Sequence, residues 1–159
     1  LSEILGIDRH SIQAFSMGEH GDSQIVPVSR ITICGSPLSL YAAKHPQLAD
    51  KLDAVYLSEQ VREAGMQVVR GKGCTEFGIG MACCDIIKAI FRDEQRILPV
   101  STLLEGEYGQ RGIHAGVPAI IGKNGVERIL ELPLTPDEQA AFAHSCDVIR
   151  GFSERADQM

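Results

Sequence analysis

A β-hairpin signal is the feature that most restricts how this 159-residue chain can fold. Two apolar, β-branched runs, residues 117–121 and 126–130, flank the tetrapeptide Gly122-Lys123-Asn124-Gly125. Because Asn-Gly pairs accept the positive φ angles of tight hairpin turns, we expect these runs to pair as antiparallel strands. A further strand is predicted for residues 97–104, and the glycine-rich segment 106–116 is predicted to be a loop.

Three longer segments predict helices. Segment 48–70 is amphipathic and predicts one helix, or two joined by a kink. Segment 76–91 is apolar on nearly all sides, which is typical of a helix buried within its domain or against another one, and Thr75 is expected to be its N-cap. The last helix begins with a capping box at residues 135–138 and extends to about Arg155. Its predicted inner side is formed by Ala141, Phe142, Ser145, Cys146, Ile149 and Phe152.

The N-terminal part of the chain predicts shorter elements. Residues 1–6 resemble the last turns of a helix that ends at a glycine. The alternating run 12–17 predicts a half-buried strand, residues 25–34 predict one or two more, and 38–45 a short helical or irregular segment. Together these elements indicate an α+β fold for a single domain, residues 1–159, in which antiparallel strands pack against long helices.

The composition excludes several classes of function. The net charge is −6 and no block of Lys or Arg stands out, so a general nucleic-acid or membrane-binding surface is not expected. The five cysteines contain no C-x-x-C pair, which indicates buried, reduced thiols in the cytoplasm rather than disulfides or a zinc site. No apolar run approaches the roughly 20 residues that span a bilayer. Glycine-rich motifs for dinucleotides or phosphates are absent from the sequence.

The segment Gly18-Glu19-His20-Gly21-Asp22-Ser23 places one histidine in a glycine-flanked turn directly after a predicted strand. A histidine with an ordinary pKa near 6.5 can donate or accept a proton close to neutral pH, and a neighbouring carboxylate would orient its ring. An isolated loop histidine would be no more than a surface residue. The Gly-Asp-Ser block also resembles that of serine esterases, but the D-x-x-H motif that those enzymes need late in the chain is missing.

The same segment resembles the G-E-H-G-D-[ST] signature around the catalytic histidine of L-lactate, L-2-hydroxyacid and malate dehydrogenases. Three further stretches are similar to motifs of that family and occur in its order: Lys72-Gly73-Cys74-Thr75, Leu98-Pro99-Val100-Ser101-Thr102 and the segment Pro118 to Gly125. The resemblance covers essentially the whole chain. It implies the fold of the family's C-terminal substrate domain, and it implies that the N-terminal NAD-binding Rossmann domain is absent from this chain, in agreement with a first residue that is not Met.

The resemblance also implies a reaction. Hydride would move between NAD and C2 of a small 2-hydroxy or 2-keto acid, most often between pyruvate and L-lactate in glycolysis. His20 would be the proton donor and acceptor, Thr75 would bind substrate, and Ile79 would contact the nicotinamide ring. No metal is implied. The implied partners are the substrate, the missing N-terminal domain and further copies of the chain in a cytoplasmic dimer or tetramer.

Departures from the family pattern limit this interpretation. The family's D-x-x-R segment, which supplies an Asp partner for the histidine and an Arg for the substrate carboxylate, is not in the chain, so we expect the chain alone to be inactive. The alternative is an inactive interaction module that works through apolar helix faces. Gln13 occupies the place of a histidine found in fructose-bisphosphate-activated members, which argues against such activation. Glu19 favours lactate or another hydroxyacid over malate, but the substrate stays open.

Overall fold

Two three-stranded antiparallel sheets and five α-helices form the part of the chain that this computed structural model describes, residues 1–158. The first sheet contains the short strands β1 (Ile12–Gln13), β2 (Thr32–Ile33) and β3 (Ser36–Pro37). The second contains β4 (Arg96–Glu105), β5 (Arg111–Gly122) and β6 (Gly125–Ile129). The helices are α1 (Ser2–Leu5), α2 (Leu38–Lys44), α3 (Ala54–Lys72), α4 (Glu76–Phe91) and α5 (Pro136–Asp157). None of the helices described has both the length and the apolar character that crossing a bilayer requires.

The predicted hairpin is confirmed. Strands β5 and β6 pair through Ile121 with Val126 and Gly122 with Gly125, and Gly125 has the positive φ of 91° that the tight turn requires. The prediction of a loop over 106–116 is wrong from residue 111 onward, because Arg111–Gly122 is one strand paired with β4. Every second residue of this part of the strand, Ile113, Ala115 and Val117, points inward and is buried, with His114 and Gly116 between them.

Helix α5 closes one face of this sheet, and its predicted start is confirmed. The Thr135 side chain accepts a hydrogen bond from the Glu138 amide at 3.3 Å, and the Glu138 carboxylate accepts from the Thr135 amide at 2.9 Å. Phe142 and Cys146 are fully buried in the main core, against Val117 of β5 among others. Burial of a side chain as large as phenylalanine stabilises a fold by about 1.5–3 kcal/mol.

Two residues of the predicted inner side of α5 lie outside it. Ala141 is exposed, and Phe152 is 57% exposed. Ala141, in the second turn of the helix, lies at the margin of the apolar stripe, and Phe152 lies beyond Ile149, which is only partly buried. The prediction for the centre of the stripe, at residues 142, 145 and 146, is confirmed.

Helix α4 is the largest departure from the sequence prediction. Its contact with the described chain is narrow: Ala89 is its buried residue and packs with Ala119 and Ile121 of β5. Ile86 and Ile90 are partly buried, and Ile90 packs against the same cluster. Most of the other apolar side chains are exposed, and Phe91 is 86% exposed. The sequence predicts that this helix is covered on most sides. Within residues 1–158, only one side of α4 is covered. Thr75 stands at the N-cap position, but its hydroxyl makes no capping hydrogen bond.

Helix α3 is a single helix that begins later than predicted. Asp53 is its N-cap and accepts a hydrogen bond from the Val55 amide at 2.8 Å, so residues 46–51 form a separate 3₁₀ turn. Gly73 ends the helix with a φ of 86°. Its residue Leu57 packs with Leu5, Val26, Ile31, Leu38 and Leu52 in a second apolar cluster, under the first sheet.

The strand predicted over 12–17 is shorter than expected. Residues 12 and 13 pair with β2, and residues 14–16 leave the ladder before Met17 forms an isolated bridge with Ile25. Helix α1 ends at Gly6 with a φ of 66°, and α2 occupies most of segment 38–45, as predicted. The cysteines are all free, but the expectation that they are buried is wrong for four of them, since only Cys146 is buried.

Candidate functional site

The His20 turn is fixed at its start by strand β5. The Gly18 amide donates to the Gly116 carbonyl and the Gly116 amide donates to the Gly18 carbonyl, each over 2.9 Å. Met17 and Ile25 exchange a second pair of backbone hydrogen bonds, at 2.9 and 3.0 Å, which close the loop between them. The turn is therefore a short loop with both ends held against the main core, and His20 lies exposed at its tip.

Helix α5 holds the same turn from the other side. The Glu19 amide donates a hydrogen bond of 2.8 Å to Ser145 Oγ, and Ser145 is fully buried. Gly18 has a φ of 89°, and a Cβ placed on it would lie 2.9 Å from the Ser145 Cβ. Glycine at position 18 therefore serves both the left-handed backbone and the close approach of the helix.

The carboxylate of Glu19 stabilises the turn internally. Its Oε2 accepts hydrogen bonds from the Ser23 amide at 3.0 Å and from Ser23 Oγ at 2.8 Å. The sequence suggested that a neighbouring carboxylate would orient the histidine ring. Among the hydrogen bonds of residues 1–158 none involves the His20 ring, so its two nitrogens are available to a ligand or to a group from outside this chain.

Arg62 is a contact of the turn that the sequence did not suggest. Its Nη1 donates to the Asp22 carbonyl oxygen at 3.2 Å, which links the middle of α3 to the far end of the turn. The two residues are forty positions apart, and no local pattern in the sequence pairs them. Elements from three parts of the chain, α3, β5 and α5, therefore position a single exposed imidazole.

Thr75 and Ile79 lie on a different element from His20. Thr75 is partly buried at the start of α4, and its carbonyl accepts from the Ile79 amide at 3.2 Å. The Ile79 side chain is 60% exposed. No hydrogen bond among residues 1–158 joins this helix start to the His20 turn, so their roles in a common site stay predictions.

Two cavities adjoin the turn and the N-terminal strands. One of about 470 Å³ lies between the turn and α5 and is lined by Glu19, Asp22, Ser23, His144, Val148 and Phe152. A groove of about 860 Å³ lies between α1, residues 12–16 and α3. Neither is lined by His20, Thr75 or Ile79. Within residues 1–158, no three His, Cys, Asp or Glu side chains come together to hold a metal ion.

Comparison with known proteins identifies the family. Residues 1–156 match the profile of the lactate/malate dehydrogenase, alpha/beta C-terminal domain. The chain belongs to the lactate/malate dehydrogenase family. Among curated relatives, the L-lactate dehydrogenase of Fusobacterium nucleatum subsp. nucleatum is 47% identical over 154 residues, which cover 97% of this chain and 48% of that protein. L-lactate dehydrogenase 3 of Bacillus anthracis is 41% identical over 152 residues, 96% of this chain and 48% of the relative.

Solved structures of lactate/malate dehydrogenases have the same fold. The ligand-bound minor L-lactate dehydrogenase from Enterococcus mundtii superimposes with a TM-score of 0.88 at 37% identity, over 94% of this chain and 48% of that one. The malate dehydrogenase from Aeropyrum pernix superimposes with a TM-score of 0.84 at 32% identity, over 97% of this chain and 50% of that one. The chain thus spans about half the length of its relatives, and the predicted fold and family are confirmed.

Proposed function

We propose that this chain is the substrate-domain half of an NAD-dependent L-2-hydroxyacid dehydrogenase, most specifically an L-lactate dehydrogenase. The observation that carries the proposal is the His20 turn, in which hydrogen bonds hold Gly18, Glu19, Asp22 and Ser23 on both sides of an exposed imidazole that makes none in the described chain. The 47% identity to an L-lactate dehydrogenase over nearly the whole chain supports lactate over other hydroxyacids.

His20 would transfer the proton of this reaction. When a 2-keto acid is reduced, negative charge develops on the keto oxygen, and an imidazolium N–H next to that oxygen neutralises it by donating its proton. In the reverse direction the neutral ring accepts the hydroxyl proton. The Glu19 carboxylate already accepts two hydrogen bonds from Ser23. The carboxylate that orients the His20 ring would therefore come from the N-terminal half of the protein.

Thr75 would bind the substrate through its hydroxyl. A helix N-cap normally uses its side chain to accept a hydrogen bond from the first turn, but Thr75 makes no such bond. The hydroxyl is therefore available to donate to a substrate oxygen, and the first turn of α4 places its unpaired amides beside it. This arrangement suits the carboxylate of a 2-keto acid.

NAD supplies and accepts the hydride when it is bound. The described residues fit one part of this cofactor: the exposed Ile79 side chain offers an apolar surface to one face of a nicotinamide ring. They do not fit the pyrophosphate, since the sequence contains no glycine-rich strand–turn–helix motif. The dinucleotide would therefore be held mainly by an N-terminal Rossmann domain outside these 159 residues.

The exposed apolar side of α4 would be covered by other parts of the assembly. Phe77, Met81, Ile87 and Phe91 are all exposed on this one helix, which is far more apolar surface than a helix leaves open to water. We assign this surface to contacts with the N-terminal domain and with further copies of the protein. The assembly would be a dimeric or tetrameric cytoplasmic enzyme that acts in glycolysis. The same surface favours the second candidate function, an inactive interaction module.

A reconstitution experiment tests the proposal. The chain would be assayed for NADH consumption alone, and again after fusion behind the N-terminal half of the Fusobacterium relative, with pyruvate, oxaloacetate and a branched 2-keto acid. We expect no turnover from the chain alone and preferred turnover of pyruvate by the fusion. A folded, dimeric or tetrameric fusion that consumes NADH with none of these acids would support the interaction module instead.

A further inference from the structure

A closed ring of hydrogen bonds links α5 to the residue before His20. The Glu19 amide donates to Ser145 Oγ at 2.8 Å, and Ser145 Oγ lies 3.3 Å from Ser23 Oγ. Ser23 Oγ in turn donates to Glu19 Oε2 at 2.8 Å. Because Ser23 uses its own proton on the carboxylate, the proton between the two hydroxyls must come from Ser145. The ring therefore runs from the Glu19 amide through both serines and back to the Glu19 carboxylate.

We propose that Ser145 is a positioning residue for His20, an inference that rests on the proposed catalytic role of that histidine. The hydroxyl is the acceptor for the amide directly before His20, so it fixes the peptide from which the imidazole projects. It also orients the Ser23 hydroxyl that holds the Glu19 side chain. A hydroxyl that accepts one hydrogen bond becomes a stronger donor of the next. The linked hydrogen bonds therefore hold the turn more rigidly than the same bonds would separately.

Burial makes this arrangement specific for a small hydroxyl. Ser145 has no exposed surface, and water therefore cannot replace its oxygen as the acceptor for the Glu19 amide. Gly18 approaches the Ser145 side chain so closely that a larger residue on either side would displace the turn. Phe142 and Cys146, one turn before and one residue after it, are fully buried and hold α5 in register with β5.

The geometry predicts an effect on rate rather than on cofactor binding. A proton donor must lie within hydrogen-bond reach of the reacting oxygen, and a misplacement of about 1 Å can lower the rate about 100-fold. Ser145 touches neither the imidazole nor the surface of α4 at Ile79. Its loss should therefore lower kcat and leave the KM for NADH unchanged.

The test compares Ser145→Ala with Ser153→Ala in the 159-residue chain. Ser153 lies on the same helix, is exposed and donates only to the Ile149 carbonyl, so its loss should leave the turn unaltered. We expect hydrogen exchange of the Glu19 amide to become about tenfold faster in Ser145→Ala, as for the loss of one buried hydrogen bond. The NMR signals of the His20 ring should shift in that variant alone.

Two outcomes would overturn the proposal. Unchanged exchange at Glu19 in a folded Ser145→Ala chain would show that the hydroxyl does not hold the turn. Loss of the folded state in Ser145→Ala would assign the residue to the stability of α5 instead. In the active fusion, a fall of kcat at constant KM for NADH supports positioning, and an unchanged kcat contradicts it.

The failure of the proposed function is detected separately. If His20→Gln leaves the rate of the fusion unaltered, the histidine is not the proton donor and its proposed catalytic role is wrong. The exchange of the Glu19 amide still reports whether Ser145 holds the turn, because that measurement involves no substrate.

Discussion

Gly18 and Gly116 exchange two backbone hydrogen bonds of 2.9 Å and thereby attach the His20 turn to the middle of strand β5. Neither backbone leaves room for a side chain in this pairing, since a Cβ on Gly116 would lie 3.1 Å from the Gly18 carbonyl oxygen. The approach of the two chains depends on two glycines that are almost a hundred residues apart. The position of the proposed proton donor is thus set by the largest sheet of the domain.

Substitution of Gly18 by alanine should strongly destabilise the chain. The residue has a φ of 89°, which costs a non-glycine residue about 1–2 kcal/mol, and the new methyl group would crowd Ser145 at a further cost of about 1–3 kcal/mol. Gly35→Ala is the matched control, because Gly35 has a φ of 79° with no atom within 4 Å of an added Cβ. Denaturant unfolding should show the larger loss for Gly18→Ala; equal losses would mean that crowding against α5 is unimportant.

Glu138 should make the stability of the chain depend on pH in the acidic range. Burial opposes its ionisation, but hydrogen bonds from Ser29 and Thr135 outweigh burial and hold the pKa of this carboxyl below its ordinary value. The folded pKa is thus lower than the unfolded one, so the stabilisation is complete above the unfolded pKa of about 4.5 and is lost as the pH falls through the folded pKa.

The variant Glu138→Gln tests this origin of the pH dependence. It should lower the free energy of unfolding by about 1–3 kcal/mol at neutral pH, since the charged acceptor is replaced by a neutral one. The difference from the unsubstituted chain should shrink as the pH falls below the unfolded pKa and disappear once the pH is below the lowered folded pKa, when both side chains are neutral. A difference that is the same at neutral and acidic pH would contradict the account. Asp137→Asn, at an exposed neighbour, serves as the control.

The cysteines should divide into two classes of reactivity. Burial raises the pKa of the Cys146 thiol to about 11, so it is neutral and shielded in the core. The other four cysteines are exposed: Cys34, Cys74, Cys83 and Cys84. A hydrogen bond to Glu76 raises the pKa of the Cys74 thiol, which should make Cys74 react more slowly than the other three. Alkylation at mildly alkaline pH followed by mass spectrometry should modify the four exposed cysteines and spare Cys146 until denaturant is added. Early modification of Cys146 would contradict the packing of α5.

The exposed apolar side of α4 should cause self-association of the isolated chain. Replacing Phe91, its most exposed large residue, by glutamate should shift the chain toward monomer in size-exclusion chromatography. Leu40→Glu is the matched control, because Leu40 is an exposed apolar residue on a different helix, α2. A stable monomer before any substitution, or an equal shift in both variants, would contradict the assignment of α4 as the contact surface.

Local chemistry made much of the fold predictable. The hairpin depends on Asn124-Gly125, the start of α5 on the reciprocal bonds of Thr135 and Glu138, and the end of α3 on Gly73, all of which involve residues close in sequence. The short motif around His20 likewise identified the turn and the family. These features are encoded within a few residues, and the sequence alone is enough to find them.

The remainder depends on contacts that a local pattern cannot express. Ser145 and Glu19 are 126 positions apart, and in the sequence Ser145 is only a small residue on an apolar stripe. The residues of α4 show that the helix is apolar, but they do not show which part of the protein covers it. The sequence therefore predicts a buried helix, whereas α4 is largely exposed in the described chain. Residues 111–116 were predicted as loop because of their glycines, although pairing with β4 makes them strand.

The most direct test of the central claim is the steady-state rate of pyruvate reduction by the fusion with His20→Gln. His144→Gln is the matched control, because His144 is an exposed histidine on α5 that lines the neighbouring cavity but belongs to no step proposed here. Loss of a positioned proton donor should lower kcat/KM for pyruvate by about 10²- to 10⁴-fold in His20→Gln, with the control close to the unsubstituted rate. A His20→Gln fusion that reduces pyruvate as fast as the control would contradict the account.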